Sequence, residues 1–150
     1  MSALTEAQRD TLVAVLDEII PPSEDGRLPG AGELGLGPKI EAALAEALDL
    51  PKGLEALDEV ARRSGAERFA ALEGAARTEA LTEYAEAAPG FLPGLIFHTY
   101  TSYYQHARVV EALGLEARPP HPKGYEMEEN DLSLLDPVRA RPPLYRKGEA

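Results

Sequence analysis

β-Branched aliphatic residues are scarce in this chain. Val and Ile together number ten among 150 residues. Sheet proteins draw heavily on such side chains, so a strand-rich core is excluded. The apolar mass is instead mostly Ala and Leu, which favour helices packed on helices. With 44% hydrophobic residues and this length, the chain can build one sizeable core. The expected fold is all-α: a single-domain bundle of about five to six helices over residues 1–114. Residues 115–150 are expected to form an extended Pro-rich tail that packs on the body or on a partner.

Punctuation residues set the expected helices. Thr5 followed by Gln8 is a capping-box pattern. Leu12, Val13, Leu16, Ile19 and Ile20 follow at helical spacing, and Pro21-Pro22 stops the helix. Residues 21–37 read as an ordered Gly/Pro loop. Pro38 then suits a helix start. Ile40, Leu44 and Leu48 share a face of that second helix, which is expected to close at Pro51. A third helix is expected over about 53–64, on Leu54, Leu57 and Val60. Ser64 with Glu67 suggests a second capping box and a restart, with Phe69 and Leu72 packing inward. A helix through about 75–87 carries Leu81 and Tyr84. The last long helix is expected from about 91 to 113, with Leu92, Ile96, Tyr100, Tyr103, Ala107 and Val110 as its core stripe and Gly114 as its cap. Six of the thirteen prolines fall in 119–143, so long helices are not expected there; Asp131 to Leu135 fits one turn.

Composition removes several functions. Without Cys the chain has no disulfide, thiolate metal site, iron–sulfur cluster or covalent haem attachment. The net charge is −11, concentrated in residues 1–107, where 8 Lys/Arg face 18 Asp/Glu. An acidic body repels phosphate backbones, which argues against nucleic-acid binding. No segment approaches the ~20 apolar residues that span a bilayer. Met1-Ser2-Ala3-Leu4-Thr5-Glu6 lacks the basic and apolar regions of a signal peptide. As written, the chain is expected in the cytoplasm, or in the periplasm or at a membrane if an export signal was removed.

Gly30-x-Gly32-x-x-Gly35 matches the dinucleotide-binding fingerprint letter for letter. That fingerprint works when a buried strand delivers the pyrophosphate to a helix N-terminus. Here Pro21 to Pro29 precede it, so a loop capping the second helix is the expected role. His98 and His106 lie eight residues apart, about 12 Å along one helix, too far to share a metal. His121 lies between prolines in the tail. Adjacent acids such as Asp17-Glu18 and Glu128-Glu129 diverge on a helix and form no catalytic dyad. Tyr104 is turned about 100° from Tyr103, which makes it a candidate contact residue.

Two stretches carry a family resemblance. The first is Leu4-Thr5-Glu6-Ala7-Gln8-Arg9 through Leu16-Asp17-Glu18-Ile19-Ile20-Pro21, followed by Pro29-Gly30-Ala31-Gly32-Glu33-Leu34-Gly35. The second is Tyr103-Tyr104, Ala112-Leu113-Gly114, Pro119-Pro120 and Gly124-Tyr125. In this order they resemble the gluconate 2-dehydrogenase subunit 3 family of small helical gamma subunits. The resemblance implies association with a large FAD-dependent flavoprotein of the glucose–methanol–choline type, often completed by a cytochrome subunit. It implies support for folding, flavin loading or export of that subunit, which oxidises a sugar, sugar acid or alcohol. Many members carry a twin-arginine export signal, which this chain does not show. The family also carries a similar Pro-Gly-Ala-Gly loop after its first helix.

The expected function is therefore that of a non-catalytic accessory subunit, not an enzyme on its own. It carries no catalytic, cofactor-binding or metal-binding residue; FAD is expected in the partner. The candidate partner interface comprises Tyr103, Tyr104, His106, Pro119, Pro120, Tyr125 and Tyr145 on the last helix and tail. The alternative is an independent small-molecule binder with an apolar cavity edged by His98 and Tyr104. A stand-alone enzyme using His98 or His106 ranks last, because no nucleophile–base pair is present.

Overall fold

The computed structural model describes residues 4–45, 47–119 and 121–142. Among them are seven α-helices and no strand: α1 (Glu6–Ile19), α2 (Gly37–Leu44), α3 (Leu50–Arg63), α4 (Gly74–Ala87), α5 (Phe91–Tyr103), α6 (Ala107–Ala112) and α7 (Asp136–Arg139). Short 3-10 turns lie at Phe69–Ala71 and Leu132–Leu135. The all-α expectation is met. The chain divides into two compact units, Met1–Arg118 and Pro119–Ala150.

The first unit holds the core. The capping box at its start is reciprocal: the Gln8 amide donates to Thr5 Oγ1 at 3.2 Å, and the Thr5 amide donates to Gln8 Oε1 at 2.9 Å. Two donors that the first helical turn leaves open are satisfied this way. α1 buries Leu12, Val15 and Leu16, while Val13, expected in the stripe, is turned outward. α3 buries Leu50, Leu54, Leu57, Val60 and Ala61. Each fully buried aliphatic side chain contributes roughly 1.5–3 kcal/mol.

A buried carboxylate ties three segments together. Asp58 on α3 accepts from the Thr11 hydroxyl of α1 at 2.8 Å and from the Phe69 amide at 2.9 Å, both at Oδ1. Burying such a group is tolerated only because donors meet it. Phe69 and Leu72 then pack inward, as expected.

Three punctuation marks act differently from their expected roles. α2 ends at Leu44, and Pro51 lies in the first turn of α3, where Asp49 caps the Lys52 amide at 3.2 Å. A proline lacks the amide that a first turn does not use, so it starts a helix as readily as it stops one. Ser64 caps nothing downstream; it is the C-terminal cap of α3, and Gly65 follows at φ +89°. The expected last long helix is two helices. The chain leaves helical geometry at His106, which is extended, and α6 is thereby reoriented so that Val109, not Val110, is fully buried. Gly114 ends α6 at φ +79°, as expected.

In the second unit, Asp131 caps the Leu132–Leu135 turn by accepting from the Ser133 amide at 3.0 Å. None of its described residues is buried.

α3 and α5 meet at a notch made by one glycine. A Cβ on Gly53 would lie 1.9 Å from Cε2 of Phe91, whose ring is buried and meets Tyr84 edge-on at 5.3 Å. Gly53→Ala should therefore destabilise the protein by about 1–3 kcal/mol through overpacking, although alanine is the better helix former by about 1 kcal/mol. A urea-denaturation midpoint checks this; an unchanged or raised midpoint would mean that the ring yields freely.

Candidate partner-docking surface

The loop between α1 and α2 fixes how the neighbouring surfaces are presented. Pro21-Pro22 turns the chain out of α1, and the Ala31 amide then returns to the Ile20 carbonyl at 2.9 Å. The Gly32 amide donates to Asp17 Oδ1 at 2.7 Å. Pro29, Gly30, Ala31 and Gly32 are all buried. A Cβ at position 30 would lie 2.3 Å from Asp17 Oδ1, and one at position 32 would lie 2.5 Å from Oδ2 and 2.6 Å from the Val13 carbonyl. The glycines of the fingerprint-like pattern thus allow the loop to close on a carboxylate of its own chain. Gly35, at φ +65°, makes the turn into α2. At the exposed tip, the Ser23 hydroxyl bonds Asp25 and holds its carboxyl below the usual value.

α5 docks on this loop. The Tyr103 hydroxyl donates to the Pro29 carbonyl at 2.8 Å, and both residues are buried. Burial, with Tyr104 beside it, raises the Tyr103 phenol above its ordinary value. Gly94 lets Leu48 approach the other end of α5, where a Cβ would meet its Cδ1 at 3.0 Å.

These contacts choose which face of α5 goes inward. The buried set is Phe91, Leu95, Thr99, Ser102 and Tyr103. The stripe expected in the core is therefore wrong in part: Ile96 and Tyr100 are exposed, Leu92 is half-buried and Ala107 is exposed. The helix is apolar nearly all round, so spacing alone could not select its inner face. Ile96, Phe97, Tyr100 and Tyr104 stand 39, 65, 45 and 50% exposed. Tyr100 and Tyr104 stack with ring centroids 6.1 Å apart. Beside them, α1, α4 and α5 line a hollow of about 380 Å³ bounded by Ile19, Leu81, Ala85, Leu92 and Ile96, with Glu18 and Thr78 at its polar side.

The sequence-derived interface residues separate. Tyr104 lies on the exposed face. Tyr103 is 1% exposed and serves the fold, a correction: its hydroxyl is spent on Pro29, inside. His106 is half-buried at the start of α6, away from helical geometry. Pro119 and Tyr125 are exposed in the second unit. Pro120 and Tyr145 lie outside the described residues. His98 meets Phe97 edge-on at 5.2 Å. Neither His98 nor Tyr104 lines this hollow. Ile96 and Phe97 were missed as surface residues. A signal was available, since no Asp, Glu, Lys or Arg occurs from Ala87 to Ala107.

Among the described residues no group of three or more His, Asp or Glu side chains is arranged to hold a metal, and no helix is long and apolar enough to cross a membrane. The profile of the gluconate 2-dehydrogenase subunit 3 family matches residues 6–117. The chain belongs to the gluconate 2-dehydrogenase subunit 3 family. The match begins at the first residue of α1 and ends one residue before the first compact unit does. The resemblance at Pro119-Pro120 and Gly124-Tyr125 lies beyond it. The family is that of a subunit of a dehydrogenase complex. Comparison with curated proteins and with solved structures gives no match.

The loop contacts have measurable consequences. Gly32→Ala should lower the stability of the isolated chain by more than 1 kcal/mol, on the order expected for a strained close approach. A thermal melt without any nucleotide reads this, and an unchanged melt would disconnect the glycine from Asp17. Tyr103→Phe should cost about 1–3 kcal/mol by leaving the Pro29 carbonyl unpartnered. Because the folded Tyr103 phenol titrates above its ordinary value of 10.0, its stabilising contribution is complete below that pH and is lost as pH rises through the folded value. Melting temperature should accordingly fall above about pH 10, and less so in the Phe variant.

Proposed function

We propose that this chain is a non-catalytic accessory subunit that binds a large FAD-dependent dehydrogenase of the glucose–methanol–choline type and supports its folding or flavin loading. The redox cofactor in this reading is FAD held by the large subunit, and this chain contributes binding alone. The observation that carries the reading is the family match over residues 6–117. An uncharged, aromatic, outward-facing helix in the matched region supports it, since interface cores are depleted in charge and enriched in Tyr and Phe.

The mechanism is linkage. A subunit that binds only the folded flavoprotein stabilises it by about 2.7 kcal/mol when present at a hundred times its dissociation constant. That is enough to shift a marginal apo-flavoprotein towards the state that accepts FAD. The acidic body, with its net negative charge, suits a partner face rich in Lys and Arg.

Co-expression tests the reading. With this chain present, the flavoprotein large subunit from the same organism should accumulate in folded form with a higher flavin-to-protein ratio. If it folds, loads FAD and turns over equally well alone, the accessory role is wrong.

A further inference from the structure

The outward face of α5 is long enough to be a docking site. Leu92, Ile96, Tyr100 and Tyr104 recur every four residues over three turns, about 18 Å. The hollow of about 380 Å³ opens beside this stripe and shares Leu92, Ile96 and Tyr100 with it.

Charge tells what kind of surface fits here. Glu18 lies at the hollow, half-buried, and accepts from the Thr78 hydroxyl at 2.5 Å. Among the described residues no Lys, Arg or His pairs with it. On α4, Glu79 and Glu86 are exposed and share a helical row with Thr82, another lining residue, at spacings of three and four. An apolar hollow with an uncompensated carboxylate and an acidic rim is complementary to an apolar side chain flanked by cations. The same rim disfavours a second copy of this chain. A two-fold contact would bring this patch against itself and set acid against acid, with no cation on α5 to relieve it.

We propose that the α1/α4/α5 groove docks a segment of the dehydrogenase large subunit, with one apolar side chain filling the hollow and an adjacent Lys or Arg pairing with Glu18. Tyr100 and Tyr104 extend the apolar contact along the helix. This assignment rests on the accessory-subunit reading and names the surface that performs it.

Binding of the purified large subunit tests the surface, with wild type, Ile96→Glu, Tyr104→Glu, Glu18→Gln and the α3 control Glu59→Lys compared in parallel. Ile96 and Tyr104 are outside the buried core, and Gln can still accept from Thr78, so these variants should each remain folded and melt in a single cooperative transition. Ile96→Glu and Tyr104→Glu should each weaken binding about tenfold or more, the range of buried interface anchors. Glu18→Gln should weaken it at low salt and flatten its salt dependence, while Glu59→Lys should bind as wild type does. If wild type binds and all three groove variants bind equally well, the groove is not the docking site, although the accessory role stands. If wild type itself does not bind the large subunit, the accessory reading fails and this assignment falls with it. Sedimentation showing a wild-type dimer that Ile96→Glu dissolves would assign the face to a second copy and overturn the proposal.

Discussion

The hydrogen bond from Tyr103 to the Pro29 carbonyl is the contact on which the exposed surface depends. α5 is apolar on nearly every side, and hydrophobic burial has no direction. Such a helix could bury either face at similar gain. A buried hydroxyl has a direction, because leaving it or its acceptor unpaired costs about 1–3 kcal/mol. Tyr103 at one end, with the Phe91 ring seated over Gly53 at the other, removes that freedom. Ile96, Phe97, Tyr100 and Tyr104 face outward as a consequence.

The acceptor in that bond is itself held in place by acid chemistry. Asp17 takes the Gly32 amide and thereby closes the loop that presents Pro29. Asp58 does a parallel job deeper in the core, taking one hydroxyl and one amide from segments far apart in sequence. In a chain with 26 acidic residues, these are two of several that link separate segments, as Glu18 does by accepting from Thr78. Each works because short, rigid donors reach it: a glycine amide, a threonine hydroxyl, an amide at the start of a 3-10 turn.

Local signals were legible wherever the chemistry was local. The Thr5–Gln8 capping box, Pro38 at the start of α2 and Gly114 after α6 involve partners within a few residues. Their geometry follows from the backbone alone. Pro51 and Ser64 depart from the roles their types suggest because each type has two helical roles, and the neighbours in space choose between them. The glycine pattern at 30, 32 and 35 was legible as a loop. Its reason was not, because Asp17, the group that it approaches, lies in the preceding helix and gives no sign of its bearing. The candidate surface was half legible. Tyr104 stands out by type and rotation, whereas the outward bearing of Ile96 and Tyr100 is hidden because apolar spacing reads the same from both sides of such a helix.

By itself the sequence determined the class of fold, the helical boundaries that proline, glycine and caps impose, and the family to which the chain belongs. Those properties arise from residue type and short-range geometry, which one dimension records. Only the tertiary structure decided which face of α5 meets water, that the Tyr103 hydroxyl is used inside the fold on the Pro29 carbonyl, and that Glu18 lies beside an apolar hollow with no cation paired to it among the described residues. Each of these depends on a contact between residues tens of positions apart. Spacing along the chain carries no information about such a contact until packing has brought the two ends together.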